Sequence, residues 1–129
     1  MTLQRIEVGL VSTDESLAEF YATTFGMERL PGIEAGPGVV HRLRTSDIVI
    51  KVMVPKRAPA ATEPATHFFA ATGLRYITLY SDDLDGIVER ATAHGGKVTH
   101  GPASIGPGVR IAVLQDPDGN AVEVVEGAS

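Results

Sequence analysis

Glu7-Val8-Gly9-Leu10-Val11-Ser12-Thr13-Asp14 decides the fold once it is set above Tyr76-Ile77-Thr78-Leu79-Tyr80-Ser81-Asp82-Asp83. Both are alternating, strand-forming runs that close on serine and aspartate, and they lie 69 residues apart, from 7 to 76. Helical periods follow each of them. Leu17, Phe20, Tyr21 and Phe25 fall at i, i+3, i+4 and i+8, while Leu84, Ile87, Val88 and Ala91 fall at i, i+3, i+4 and i+7. Ser12 with Glu15 offers a capping box to the first helix, and Asp82 or Asp83 a cap to the second. Glycine ends each helix, at Gly26 and Gly95.

The duplication continues outward. Gly36-Pro37-Gly38-Val39 recurs as Gly106-Pro107-Gly108-Val109, each a turn leading into a strand. Third strands are expected over 39–43 and 109–114, fourth strands over 48–54 and 121–125, and second strands near 28–33 and 97–104. The turn before the fourth strand is Thr45-Ser46-Asp47 in one half and the longer Asp116-Pro117-Asp118-Gly119-Asn120 in the other. These elements predict an α+β domain over residues 1–129, built from two tandem βαβββ modules. Module 1 covers about 3–55, a linker 56–73, and module 2 about 74–127. A single βαβββ half leaves one sheet face bare. The expected architecture is therefore a curved mixed sheet around a shared cleft.

Composition narrows the classes. With no cysteine, disulfides, thiolate metal sites and thiol nucleophiles are excluded. A net charge of −5, with Lys and Arg scattered, argues against a nucleic-acid partner, which needs clustered cations. No apolar run reaches the roughly 20 residues that span a bilayer, and the N-terminal residues lack a signal-peptide core, so a soluble cytoplasmic protein without a membrane partner is expected.

Strand alternation sorts the side chains by face. Ile6, Val8 and Leu10 form the set expected under the first helix, which turns Glu7 and Gly9 to the cleft. Ile48, Ile50 and Val52 are a second core set, opposite Val49, Lys51 and Met53. In the second half Ile77, Leu79, Val122 and Val124 are core, and Tyr76, Thr78, Tyr80, Ala121, Glu123 and Val125 face the cleft. Glu7, Lys51, Tyr76 and Glu123 hold equivalent places in the two halves and are the candidate catalytic residues. His41, Met53, Phe68, Phe69, Thr78 and Tyr80 are candidates for contact with a small organic ligand.

These motifs together resemble the vicinal-oxygen-chelate superfamily, which includes glyoxalase I, methylmalonyl-CoA epimerase, extradiol dioxygenases and bleomycin-binding proteins. The resemblance rests on Glu7-Val8-Gly9-Leu10 with Asp14, Phe20-Tyr21, Phe25-Gly26, Tyr76-Ile77-Thr78-Leu79 with Asp82-Asp83-Leu84-Asp85, and Asp116 through Glu123. It implies four metal-ligand positions, which in this chain carry Glu7, Lys51, Tyr76 and Glu123. Glu7 and Glu123 suit a divalent ion. Lys51 does not, since an ammonium repels a cation and offers no lone pair. The expectation is a site without the usual metal; a retained divalent metal would sit on Glu7 and Glu123.

Three functions are compatible with that resemblance. The first is a glyoxalase-like isomerase, epimerase or lyase in which a carboxylate moves a proton while Lys51 steadies negative charge. The second is a non-catalytic protein that binds an antibiotic or another small molecule. The third is a metal-dependent lyase or dioxygenase, which needs a one-residue slip to turn Lys51 away. The resemblance also implies a homodimer. Structural readings stand beside these: Glu7, Lys51 and Glu123 as an ion-pair network, Tyr76 as a packing residue, and His41 as a satisfied strand histidine. Phe68 and Phe69 read as a lid or as part of a subunit interface. Asp116 through Asn120 resembles a calcium loop but lacks the spacing of further ligands and is read as a turn.

Overall fold

Alternation of apolar residues on short β-branched runs, each followed by a ten-residue amphipathic helix, generates the same unit twice. The computed structural model describes residues 2–64 and 67–127. Its chain divides into two compact units, Met1–Ala61 and Thr62–Ser129. The first contains β1 (Glu7–Val11), α1 (Ser16–Phe25), β2 (Glu28–Ala35), β3 (Gly38–Thr45) and β4 (Ile48–Pro55). The second repeats the order with β5 (Tyr76–Tyr80), α2 (Leu84–Ala93), β6 (Lys97–Gly106), β7 (Val109–Gln115) and β8 (Ala121–Glu126). The sheets run β1-β4-β3-β2 and β5-β8-β7-β6. In each, the first strand pairs parallel with the fourth and the other pairs are antiparallel. This is the expected pair of βαβββ modules.

Each core lies between a sheet and its helix. In the first unit Leu17, Phe20, Tyr21, Leu43, Ile50 and Val52 are fully or almost fully buried. Phe20, Tyr21 and Phe25 meet edge-on or tilted, with centroids 5.5–6.0 Å apart. Their counterparts in the second unit are Leu84, Ile87, Ala91, Leu114, Val122 and Val124. Burying a side chain of this size stabilises by roughly 1.5–3 kcal/mol relative to its exposure. These side chains therefore fix which sheet face is inner, and by alternation which residues the other face displays.

Several local expectations are corrected. Ile6 precedes β1 and is 64% exposed, and Ile48, at the start of β4, is 50% exposed. Strand ends lack the flanking turns of chain that would cover them. Ser12 does not cap α1: it is buried, and its amide donates to the Met53 carbonyl at 3.0 Å. The helix entry is fixed by Asp14 Oδ1, which accepts from the Ser16 amide at 2.8 Å; the Ser16 hydroxyl first, and its amide second, hold the Asp14 carboxyl below its usual range. Asp83 does cap α2, accepting from the Gly86 amide at 3.3 Å. Gly26 takes the left-handed conformation expected of it, and Gly95, with φ 94°, follows the His94 cap of α2. The strands β2 and β6 run two residues past their expected ends, and register shifts interrupt both. Residues 62–64 and 67–73, expected within the linker, belong to the second unit, where Pro64 lies against Gly119.

Candidate functional site

Pairing registers place the candidate residues. Glu7 pairs with Val49 and Gly9 with Lys51, so Glu7, Gly9, Val11, Val49, Lys51 and Met53 share the open face of the first sheet. The Lys51 stem lies across Gly9, with Cε 3.8 Å from where a Cβ would stand there. This sets Nζ 3.4 Å from Glu7 Oε1, and Arg5 approaches the other oxygen of the same carboxylate at 3.0 Å. The register turns Lys51 to the Glu7 face, with no slip that would turn it away.

His41 is a correction. It pairs with Val52, between neighbours that alternate with Leu43, and so belongs to the helix-covered face opposite Lys51. Its Nδ1 lies 3.4 Å from Arg29, which also pairs with Glu19 on the helix and Glu15 at the helix N-cap. The residue on the Lys51 face of β3 is Arg42, the cross-strand partner of Lys51. Arg42 was absent from the sequence-derived candidates. Its face follows from the burial of Leu43, because period-2 alternation puts 42 and 43 on opposite faces.

On the second sheet Tyr76 pairs with Ala121, Thr78 with Glu123 and Tyr80 with Val125, all on one open face. Thr78 Oγ1 donates to Glu123 Oε1 at 2.9 Å, and Oε2 takes no hydrogen bond from the described residues. Glu123 is half-buried, whereas Tyr76 is 50% and Tyr80 66% exposed. Phe68 stands edge-on to Tyr76 with centroids 4.8 Å apart and meets Phe69 at 4.8 Å; His67 stacks on Phe68 at 4.9 Å. Beside this group a hollow of about 210 Å³ is lined by Phe68, Arg75, His100, Gln115 and Ala121 among others. Arg75, held by its Nε bond to the Thr72 carbonyl at 2.7 Å, and His100 and Gln115 were likewise not sequence-derived candidates.

The residues do not fit a divalent metal. Among the described residues no three His, Asp or Glu side chains gather into a possible metal site. Glu7 is engaged by two cations, and Lys51 brings a positive charge to a position where a ligand would have to donate a lone pair. Asp116 is buried and engaged within its own turn, accepting from the Asp118 and Asn120 amides at 3.0 and 2.9 Å. This is the turn expected there.

A βαβββ duplication with these signatures defines a family. Residues 8–124 match the model of the Glyoxalase/Bleomycin resistance protein/Dioxygenase superfamily, and the chain belongs to that superfamily. CFP32 of Mycobacterium bovis is 29% identical over 119 residues, covering 89% of this chain and 42% of its own length. The chain thus spans about two fifths of the curated relatives it matches. Among solved structures, a glyoxalase family protein from Bacillus cereus aligns with a TM-score of 0.84 at 16% identity, over 100% of this chain and 97% of the other. TnmS3, an antibiotic binding protein from Streptomyces sp. CB03234, aligns with a TM-score of 0.69 at 21% identity, over 99% of each chain. At these identities the structures share the fold.

Proposed function

We propose that this protein acts on a small organic carbonyl compound by proton transfer, as an isomerase, epimerase or lyase that uses no divalent metal. The observation that carries this reading is the Glu123 carboxylate, half-buried, with Oε1 fixed by Thr78 at 2.9 Å and Oε2 open. A carboxylate fixed at one oxygen and free at the other suits a general base. Oε2 would take a proton from the carbon next to the carbonyl. The C–H electrons become the carbon–carbon double bond of an enolate, and the carbonyl π electrons move to oxygen. Returning the proton to the same carbon's other face, or to a neighbouring atom, completes epimerisation or isomerisation. Tyr76, two residues from Thr78 on the same face, is the hydrogen-bond donor for the enolate oxygen.

A second reading is favoured by the aromatic surface. Phe68, Phe69, Tyr76 and Tyr80 present rings that a flat ligand could stack upon. Similarity to an antibiotic binding protein lends it support. The discriminating experiment incubates the protein in D2O with a panel of small carbonyl compounds and follows deuterium entry by NMR. Protein-dependent exchange that falls about 100-fold or more in Glu123→Gln is expected. A compound that is held tightly without exchange would replace catalysis by binding.

A further inference from the structure

One cross-strand row of the second sheet runs Tyr76 on β5, Ala121 on β8, Gln115 on β7 and Lys97 on β6, each the register partner of the next. Alternation puts these side chains on the face away from Leu114 and Val122, which are buried beneath α2. Neighbouring strands lie about 4.8 Å apart, so the Tyr76 and Gln115 backbones are roughly 9.6 Å from one another. Only the Ala121 methyl stands between them. A methyl flanked by two large side chains leaves a gap, and the hollow of about 210 Å³ lies there, lined by Ala121, Gln115 and the Phe68 ring that stands on Tyr76. Drug-sized pockets begin at roughly 300 Å³, so this one suits a single ring.

The lining says which kind of ring. Gln115 is half-buried, yet its side-chain amide makes no hydrogen bond with any of the described residues. A carboxamide carries donors and an acceptor, and leaving both unmet out of bulk water costs free energy. Glu63 and Asp118 line the same hollow as Arg75, so it offers no single sign of charge. A neutral ring with an N–H beside a C=O meets both halves of the Gln115 amide at once. Its flat face suits the aromatic wall.

We infer that Gln115 selects the ligand of this hollow, a neutral cyclic amide whose ring lies over Ala121 against Phe68. As a statement of substrate class this rests on the proton-transfer reading above; the binding itself does not. Glu123 lies two residues along β8 on the same face as Ala121, about 6.6 Å away at the backbone. A ring held by its amide edge at Gln115 can therefore turn a C–H next to a carbonyl toward Glu123. That proton passes to Oε2, the C–H electron pair enters the ring enolate, and return of the proton to the other face inverts the carbon. Nothing is oxidised or reduced.

The test titrates 15N-labelled protein with 5-methylhydantoin, with 1,3,5-trimethylhydantoin, which keeps the reacting C–H but has no N–H, and with succinate as an anion. The side-chain NH2 signals of Gln115, assigned by their absence from Gln115→Met, are expected to shift with the first compound alone. Gln115→Met should weaken its binding about tenfold or more while the urea midpoint is kept. Ala121→Leu, checked for folding in the same spectra, should abolish binding by filling the floor. Glu123→Gln should bind as wild type does and stop exchange at the ring carbon in D2O. No shift with 5-methylhydantoin, equal shifts with its trimethyl analogue, stronger shifts with succinate, or undiminished binding in Gln115→Met would each overturn the site. Binding without exchange would refute the proton-transfer reading alone, and equal exchange of both hydantoins would refute selection by Gln115 alone.

Discussion

Thr78 and Glu123 face each other across β5 and β8, and the threonine hydroxyl holds one carboxylate oxygen at 2.9 Å while the other takes no hydrogen bond from the described residues. Thr78→Val keeps the shape of the side chain and removes that donor. Deuterium exchange should fall about tenfold, with the unfolding free energy from urea titration within about 1 kcal/mol of wild type. A variant that exchanges as fast as wild type would show that Glu123 needs no orientation.

Lys51→Met separates chemistry from stability. The Lys51–Glu7 pair is partly exposed, and such pairs contribute about 0–1 kcal/mol. Chemical denaturation should therefore change little, whereas deuterium exchange should be lost. A large loss of stability would instead assign Lys51 a structural role.

Metal content follows from the donor set. Protein purified without chelator should carry far less than one divalent ion per chain by elemental analysis, and EDTA should leave its thermal midpoint unmoved. Near-stoichiometric metal that disappears in Glu123→Gln would restore a metal-assisted reaction.

Acid sensitivity should concentrate at α2. Arg110 bonds both Asp85 oxygens at 2.9 and 3.2 Å and reaches Glu126 Oε1 at 2.7 Å. This guanidinium holds the Asp85 carboxyl below its ordinary 3.8. The Leu84 amide first, and Arg110 second, hold Glu126 below its ordinary 4.5. Carboxyls lowered in the fold stabilise it while ionised. Their contribution is complete above the ordinary values and is lost as pH falls through them toward the lowered ones. Urea midpoints measured down this range should drop less steeply in Arg110→Met than in wild type.

Gly38 and Gly36 should part company despite sharing one turn motif. A Cβ on Gly38 would fall on the Val54 carbonyl, while nothing lies within 4 Å of one on Gly36. Gly38→Ala should cost on the order of 1–3 kcal/mol by urea denaturation and Gly36→Ala nearly nothing.

Much of this was legible in the sequence because the chain states its pattern twice. The 69-residue spacing located β1, β5 and both helices, and alternation about Ile50, Val52, Val122 and Val124 set the open faces of β4 and β8. Reading failed where local rules compete. Register shifts near Leu30 and Val98 break the period-2 signal within β2 and β6. His41 and Arg42 are adjacent polar residues, and only the burial of Leu43, a tertiary fact, says which one shares a face with Lys51. Asp14 and Ser12 both qualify as caps by type, and geometry chose Asp14.

In β8, Ala121, Glu123 and Val125 turn to the open face, while Val122 and Val124 pack under α2 and Glu126 grips its first turn through the Leu84 amide. The strand is in effect two interleaved texts, one written in odd-numbered residues and one in even. Revising the odd text alters what the protein can do to a ligand and leaves the helix docked. A lineage could therefore exchange histidine for tyrosine, or glutamate for lysine, at such positions without renegotiating the scaffold.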